Sequence, residues 1–80
     1  MKVEIAPGLL KEIRKLDKKL RERFYKVVEK LVANPEVGKP LQYDFKGCRR
    51  VRMDPFRVIY KVKEDTIFIM AFDHRGTVYK

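Results

Sequence analysis

Apolar and polar residues alternate at the start of the chain. Val3 and Ile5 are set against Lys2 and Glu4, which predicts a short strand over residues 1–6. Pro7-Gly8 punctuates it, and proline suits the first turn of a helix. Leu9, Leu10, Ile13 and Leu16 then follow at helical spacing. Asp17 is placed to cap a second helix, whose stripe runs Leu20, Phe24, Val27, Val28, Leu31 and Val32. Asn34-Pro35 ends it, because the residue before a proline avoids the helical region. The two stripes predict an antiparallel helical hairpin with one shared apolar face laid on a sheet. Residues 36–46 contain Gly38, Pro40 and Asp44 and predict an irregular loop. Three strands are predicted after it, over about 47–53, 56–63 and 66–72, with Glu64-Asp65 turning the second pair.

Strands this close in sequence favour an antiparallel meander. The predicted order is β-α-α-β-β-β, an α+β fold with a helical hairpin packed on one face of a mostly antiparallel sheet. The hairpin around Met53-Asp54-Pro55-Phe56 fixes its own register. If Met53 faces Phe56, Val51 meets Val58, Arg52 meets Arg57 and Arg50 meets Ile59. Strand side chains alternate between faces. One face then carries Val51, Met53, Phe56, Val58, Tyr60 and Val62 and belongs to the helices. The other carries Arg50, Arg52, Arg57, Ile59 and Lys61 and is expected to meet a partner. The last strand, TIFIMAF, is apolar on both sides, which fits either a central strand or a second buried surface on the basic face.

Size and charge narrow the function. Eighty residues make a single domain, residues 1–80, with a thin margin of stability. The net charge of +9 favours a polyanion or an acidic protein as partner. The lone cysteine, Cys48, cannot form an internal disulfide, which fits a reducing, cytoplasmic setting. No stretch reaches the ~18 apolar residues of a membrane span, and the N-terminus lacks the apolar run of a signal peptide. The chain has no Ser and one each of Asn and Gln among many Lys and Glu, a bias resembling thermophile composition.

Like charges directly across a sheet destabilise it by a few tenths to about 1 kcal/mol. A chain that keeps Arg50, Arg52 and Arg57 on one face is therefore expected to use them on an anion. Arginine grips phosphate through two hydrogen bonds and stays protonated. The bland alternative is a solvated strand face that guards an edge, although lysine is the usual choice for that. The ending Asp73-His74-Arg75-Gly76-Thr77-Val78-Tyr79-Lys80 brings a His, an Arg and a Tyr together; His and Tyr can transfer protons. No metal-ligand spacing, phosphate-binding glycine loop or second His is present, and without Ser a serine triad is excluded. No cofactor is implied.

The element order, the KGCRRVRM…FRVIYKV hairpin and the FDHRGTVYK ending together resemble the RelE/ParE toxin superfamily over nearly the whole chain. The resemblance implies a toxin of a type II toxin–antitoxin system, partnered by an acidic, RelB-like antitoxin. RelE-like members bind the ribosomal A site and cleave mRNA without metal, the 2′-hydroxyl attacking the adjacent phosphate. On that pattern Arg50 and Arg52 match the two basic residues of the first sheet hairpin, Arg57 the Arg beginning the next strand, Arg75 the late Arg and Tyr79 the terminal Tyr. Arg57 and Arg75 would stabilise the phosphorane charge, one of Arg50 and Arg52 would position the nucleophile, and Tyr79 would stack on or orient the base. Arginine stands at both positions where some members carry Lys and serves badly as a general base, so His74 is a substitute candidate. Lys46, Arg49 and Lys61 are the accompanying candidates for RNA contacts. The ParE branch shares the scaffold but poisons gyrase, and an inactive relative that only binds nucleic acid or a partner is a third reading.

Overall fold

The computed structural model describes residues 1–41 and 46–74, the last two as backbone only. The elements are β1 (Lys2–Ile5), α1 (Pro7–Arg14), α2 (Lys18–Ala33), β2 (Lys39–Pro40), β3 (Arg49–Met53), β4 (Phe56–Lys63) and β5 (Thr66–His74). They build a five-stranded sheet in the order β1-β5-β4-β3-β2. β1 runs parallel to β5, and the other neighbours are antiparallel.

Local chemistry sets the helix ends. Pro7 stands in the first turn of α1, where its missing N–H costs nothing. The carboxylate of Asp17 accepts the Leu20 N–H at 2.8 Å, capping α2 as its sequence position predicts. Asn34 ends α2: its N–H donates to the Lys30 carbonyl, and its side-chain oxygen accepts the Glu36 N–H at 3.3 Å. Leu9 and Ile13 of α1 and Phe24 and Leu31 of α2 are the helix residues buried against the sheet. Opposite them lie Met53, Val58, Tyr60, Ile67, Ile69 and Phe72. Phe72 organises this layer. Its ring meets Phe24 edge-on at 5.8 Å and stacks on Phe56 at 4.6 Å, and such pairs add to the burial of their area.

Two expectations need revision. Residues 36–46 are not wholly irregular: Lys39 and Pro40 form an edge strand opposite Arg50 and Arg49. Proline is tolerated there because an edge strand need not donate on its outer side. The apolar sides of β5 left a central strand and a second buried surface open; β5 lies inside the sheet between β1 and β4, and its two apolar sides have a specific cause. Ile59 pairs with Ala71 but Tyr60 pairs with Ile69, so Met70 bulges out of the ladder. The bulge shifts the alternation by one, so that Ile67, Ile69 and Phe72 all face the helices while Met70 is exposed.

Candidate functional site: the face opposite the helices

β3 and β4 are joined at Asp54-Pro55, a cis peptide, with Met53 across from Phe56. Val51 meets Val58, Arg52 meets Arg57 and Arg50 meets Ile59, the register that the sequence predicts. Arg50, Arg52 and Arg57 therefore share the face away from the helices. Lys61 is on the same face, its ammonium 5.8 Å from the centre of the Phe68 ring, a cation–π contact with its neighbour on β5. Lys39, directly across from Arg50, extends the row to the sheet edge. Two rows of cations result, Lys39–Arg50 and Arg52–Arg57.

This face is less open than its charge suggests. Arg52 is exposed and Arg50 half-buried, but Arg57 is only 2% exposed and Ile59 is fully buried. The strip is thus open to solvent at Arg52 on β3 and closed at its centre, where a solvent-facing strip was expected. A buried guanidinium is tolerated only with compensation by charge or hydrogen bonds. The register places Asp73 of β5 directly across from Arg57, on the side opposite Arg52. His74 stands across from Phe56 instead, so the arginine row runs on to Asp73 and not to His74.

Arg49 takes a different place from the other candidates. It pairs with Tyr60 on the helix side. Its Nη1 donates to the carbonyls of Gly38 at 2.8 Å and Glu36 at 3.3 Å. The Tyr60 hydroxyl donates to the Pro35 carbonyl at 2.8 Å and accepts the Gly38 N–H at 2.9 Å. Both side chains bind the turn that carries the chain from α2 into β2. Gly38 is required by close approach: a Cβ there would lie 2.6 Å from the Tyr60 oxygen and 2.7 Å from the Arg50 carbonyl. Lys46 is exposed before the turn at Gly47, whose φ of 93° suits glycine. Arg75 and Tyr79, and the side chain of His74, lie outside the described residues.

Charge alone misses Lys39, which only the pairing of β2 with β3 brings beside Arg50. It also misses Tyr60, whose signal is strand parity: a core-facing tyrosine needs a partner for its hydroxyl. Among the described residues, no cluster of three or more His, Cys, Asp and Glu is arranged to hold a metal, and no helix is long and apolar enough to cross a membrane.

A two-helix layer on one face of a five-stranded sheet and a ladder of cations on the other define a small, basic α+β protein. Residues 3–79 match the family described as ParE toxin of type II toxin–antitoxin system, parDE. A Methanocaldococcus jannaschii protein named as toxin RelE4 is 33% identical over 84 residues, covering 98% of this chain and 89% of that one. The fold is similar to that of the archaeal RelE–RelB complex from Pyrococcus horikoshii, with a TM-score of 0.78, 26% identity and coverage of 96% and 97% of the two chains. It is also similar to the intact Escherichia coli RelBE toxin–antitoxin complex, with a TM-score of 0.78, 19% identity and coverage of 91% and 94%. The chain belongs to the ParE toxin family, within the RelE/ParE superfamily of type II toxin–antitoxin systems.

Proposed function

We propose that this toxin is a metal-independent mRNA endonuclease that acts in the ribosomal A site. The observation that carries the proposal is the placement of Arg52 across from Arg57, with Arg50 two residues along on the same face. Like charges opposed in a sheet cost stability, and a phosphodiester offsets that cost.

In this reading the 2′-hydroxyl attacks the adjacent phosphorus and the 5′-oxygen leaves. Charge develops on the non-bridging oxygens as the phosphorane forms. Arg52, exposed, contacts a non-bridging oxygen directly through its guanidinium fork. Arg57, buried beneath the surface, acts through its positive field in a low-dielectric setting and by positioning Arg52. Arg50 orients the nucleophile. Arg75 is assigned the second direct contact with the phosphorane, Tyr79 the base, and His74 or Tyr79 the proton transfer. Lys61 and Lys46 contact the flanking RNA. Arg49 is not assigned an RNA contact, because its guanidinium is committed to the Glu36 and Gly38 carbonyls.

The partner in this reading is an acidic antitoxin, partly disordered alone, that covers the basic surface or adds to a sheet edge in the cytoplasm. Its support is the charge of +9 together with the toxin–antitoxin complexes among the similar structures. Primer extension on mRNA from cells expressing this chain tests the activity. Cleavage within translated codons, lost in Arg75→Ala, is the expected result. Intact mRNA with accumulating gyrase–DNA breaks would assign the chain to gyrase poisoning instead. Salt-sensitive RNA binding with neither phenotype would leave a binding protein.

A further inference from the structure

The open end of the β2–β3 edge holds a second feature. β2 is two residues long and β3 is five, so beyond Lys39 the outer edge of β3 loses its strand neighbour. A cavity of about 290 Å³ opens there, lined by Lys30, Val37, Lys39, Arg50, Val51 and Arg52. Four of the six described lining residues are cations and none is an acid. They come from three elements: Lys30 from the last turn of α2, Lys39 from β2, and the two arginines from β3.

The β3 main chain also lacks a β2 partner at this end. The Leu41 N–H donates to the Cys48 carbonyl. In an antiparallel ladder alternate residues direct their N–H to the same neighbour. Residues 48, 50 and 52 therefore share one direction, and the Arg52 main chain points past the end of β2 into the cavity. Among the described lining residues nothing offsets four converging cations; an anion would.

We propose that this cavity is an RNA subsite that holds a backbone phosphate flanking the scissile one, with Lys39 and Lys30 as binding residues. The inference rests on the ribonuclease reading and extends it. At about 290 Å³ the cavity lies just below the range of pockets for drug-sized ligands and has room for a phosphate group. Continuity favours nucleic acid over an acidic protein segment: Arg50 and Arg52 belong at once to the cavity and to the cationic face, so a strand gripped at Arg52 has its next phosphates within reach of Lys39. Val37 and Val51 back the cavity and leave the lysines to set its charge.

The test is the salt dependence of binding of a short fluorescent single-stranded RNA to the full chain, read by anisotropy. Each phosphate contact contributes about 0.7 to the slope of log affinity against log salt for a single strand. Lys39→Gln and Lys30→Gln should each lower the slope, and the double variant, which empties a subsite for one phosphate, should lower it by about 0.7. Lys19→Gln, exposed on α2 roughly 16 Å along the axis from Lys30, should leave it unchanged. Both cavity lysines are exposed, so the variants keep the fold. Wild-type binding with equal slopes in the lysine variants overturns the subsite and leaves the ribonuclease reading standing. Unchanged RNA slopes with weakened binding of a polyglutamate peptide assign the cavity to an acidic protein and overturn it also. A wild-type chain that neither binds RNA nor cleaves mRNA overturns the ribonuclease reading and the subsite with it.

Discussion

Arg49 and Tyr60 stand directly across from each other on β3 and β4 and grip the same turn. Tyr60 holds the Pro35 carbonyl and the Gly38 N–H; Arg49 holds the Glu36 and Gly38 carbonyls. Four backbone polar groups that no helix or strand satisfies are thereby paired. Leaving a buried donor or acceptor unsatisfied costs about 1–3 kcal/mol. Tyr60→Phe is therefore expected to destabilise by about that amount, measured as a lower urea midpoint at unchanged slope. Because the two side chains share Gly38, Tyr60→Phe and Arg49→Met should be non-additive by at least ~0.5 kcal/mol in a double-mutant cycle. Strict additivity would show that the two hold the turn independently.

Gly38 tests the same joint from the other side. A methyl group there collides with the Tyr60 hydroxyl and with the Arg50 carbonyl, one of which is backbone in the middle of a strand. Gly38→Ala should cost about 1–3 kcal/mol, as overpacking does. Hydrogen exchange should quicken at β2 before it quickens at β4 and β5, which remain paired on both sides. Wild-type stability in Gly38→Ala would mean that the turn stands farther from Tyr60 in solution.

The β4–β5 turn gives a stabilising change. Glu64 has a φ of 56°, a conformation that an L-residue with a Cβ adopts at a cost. Glycine has no such cost, though it loses more freedom on folding. The balance predicts a gain of about 0.5–1 kcal/mol for Glu64→Gly, which at this chain length raises the melting midpoint by several degrees. Glu64→Val, β-branched, should lower it. Equal midpoints for the two variants would contradict the positive φ.

How much of this was legible depends on what periodicity can carry. The β3–β4 register was readable because a two-residue turn at Asp54-Pro55 leaves one pairing that sets Val51, Met53 and Val58 together on the helix side. Asp17 was readable as a cap because its chemistry is local. β2 was not, since Lys39 and Pro40 are too few to show a period. The buried side of β5 was not, since the bulge at Met70 breaks the alternation that would reveal it. The burial of Arg57 was hidden as well, because side-chain type says arginine is exposed and only tertiary context says otherwise. Charge groups Arg49 with the candidate RNA contacts, while strand parity already separates it from Arg50 and Arg52.

That separation yields the sharpest contrast among the arginines. Arg52 is exposed on the cationic face, with no described hydrogen bond from its side chain to the rest of the fold. Arg49, three positions earlier, is tied to two carbonyls on the opposite face. Arg52→Ala should therefore leave the urea midpoint within about 0.5 kcal/mol of wild type, as surface changes do. On the ribonuclease proposal, losing the Arg52 contact should lower mRNA cleavage by roughly 100-fold, the scale of losing one donor to a developing oxyanion. Arg49→Ala should do the reverse. It should cost about 1–3 kcal/mol of stability through the freed carbonyls, yet leave cleavage per folded molecule within a few-fold. Measuring both quantities on both variants separates a residue that meets RNA from one that holds the fold. If Arg49→Ala abolishes cleavage at full stability while Arg52→Ala leaves it intact, the two faces of the sheet have been assigned the wrong way round.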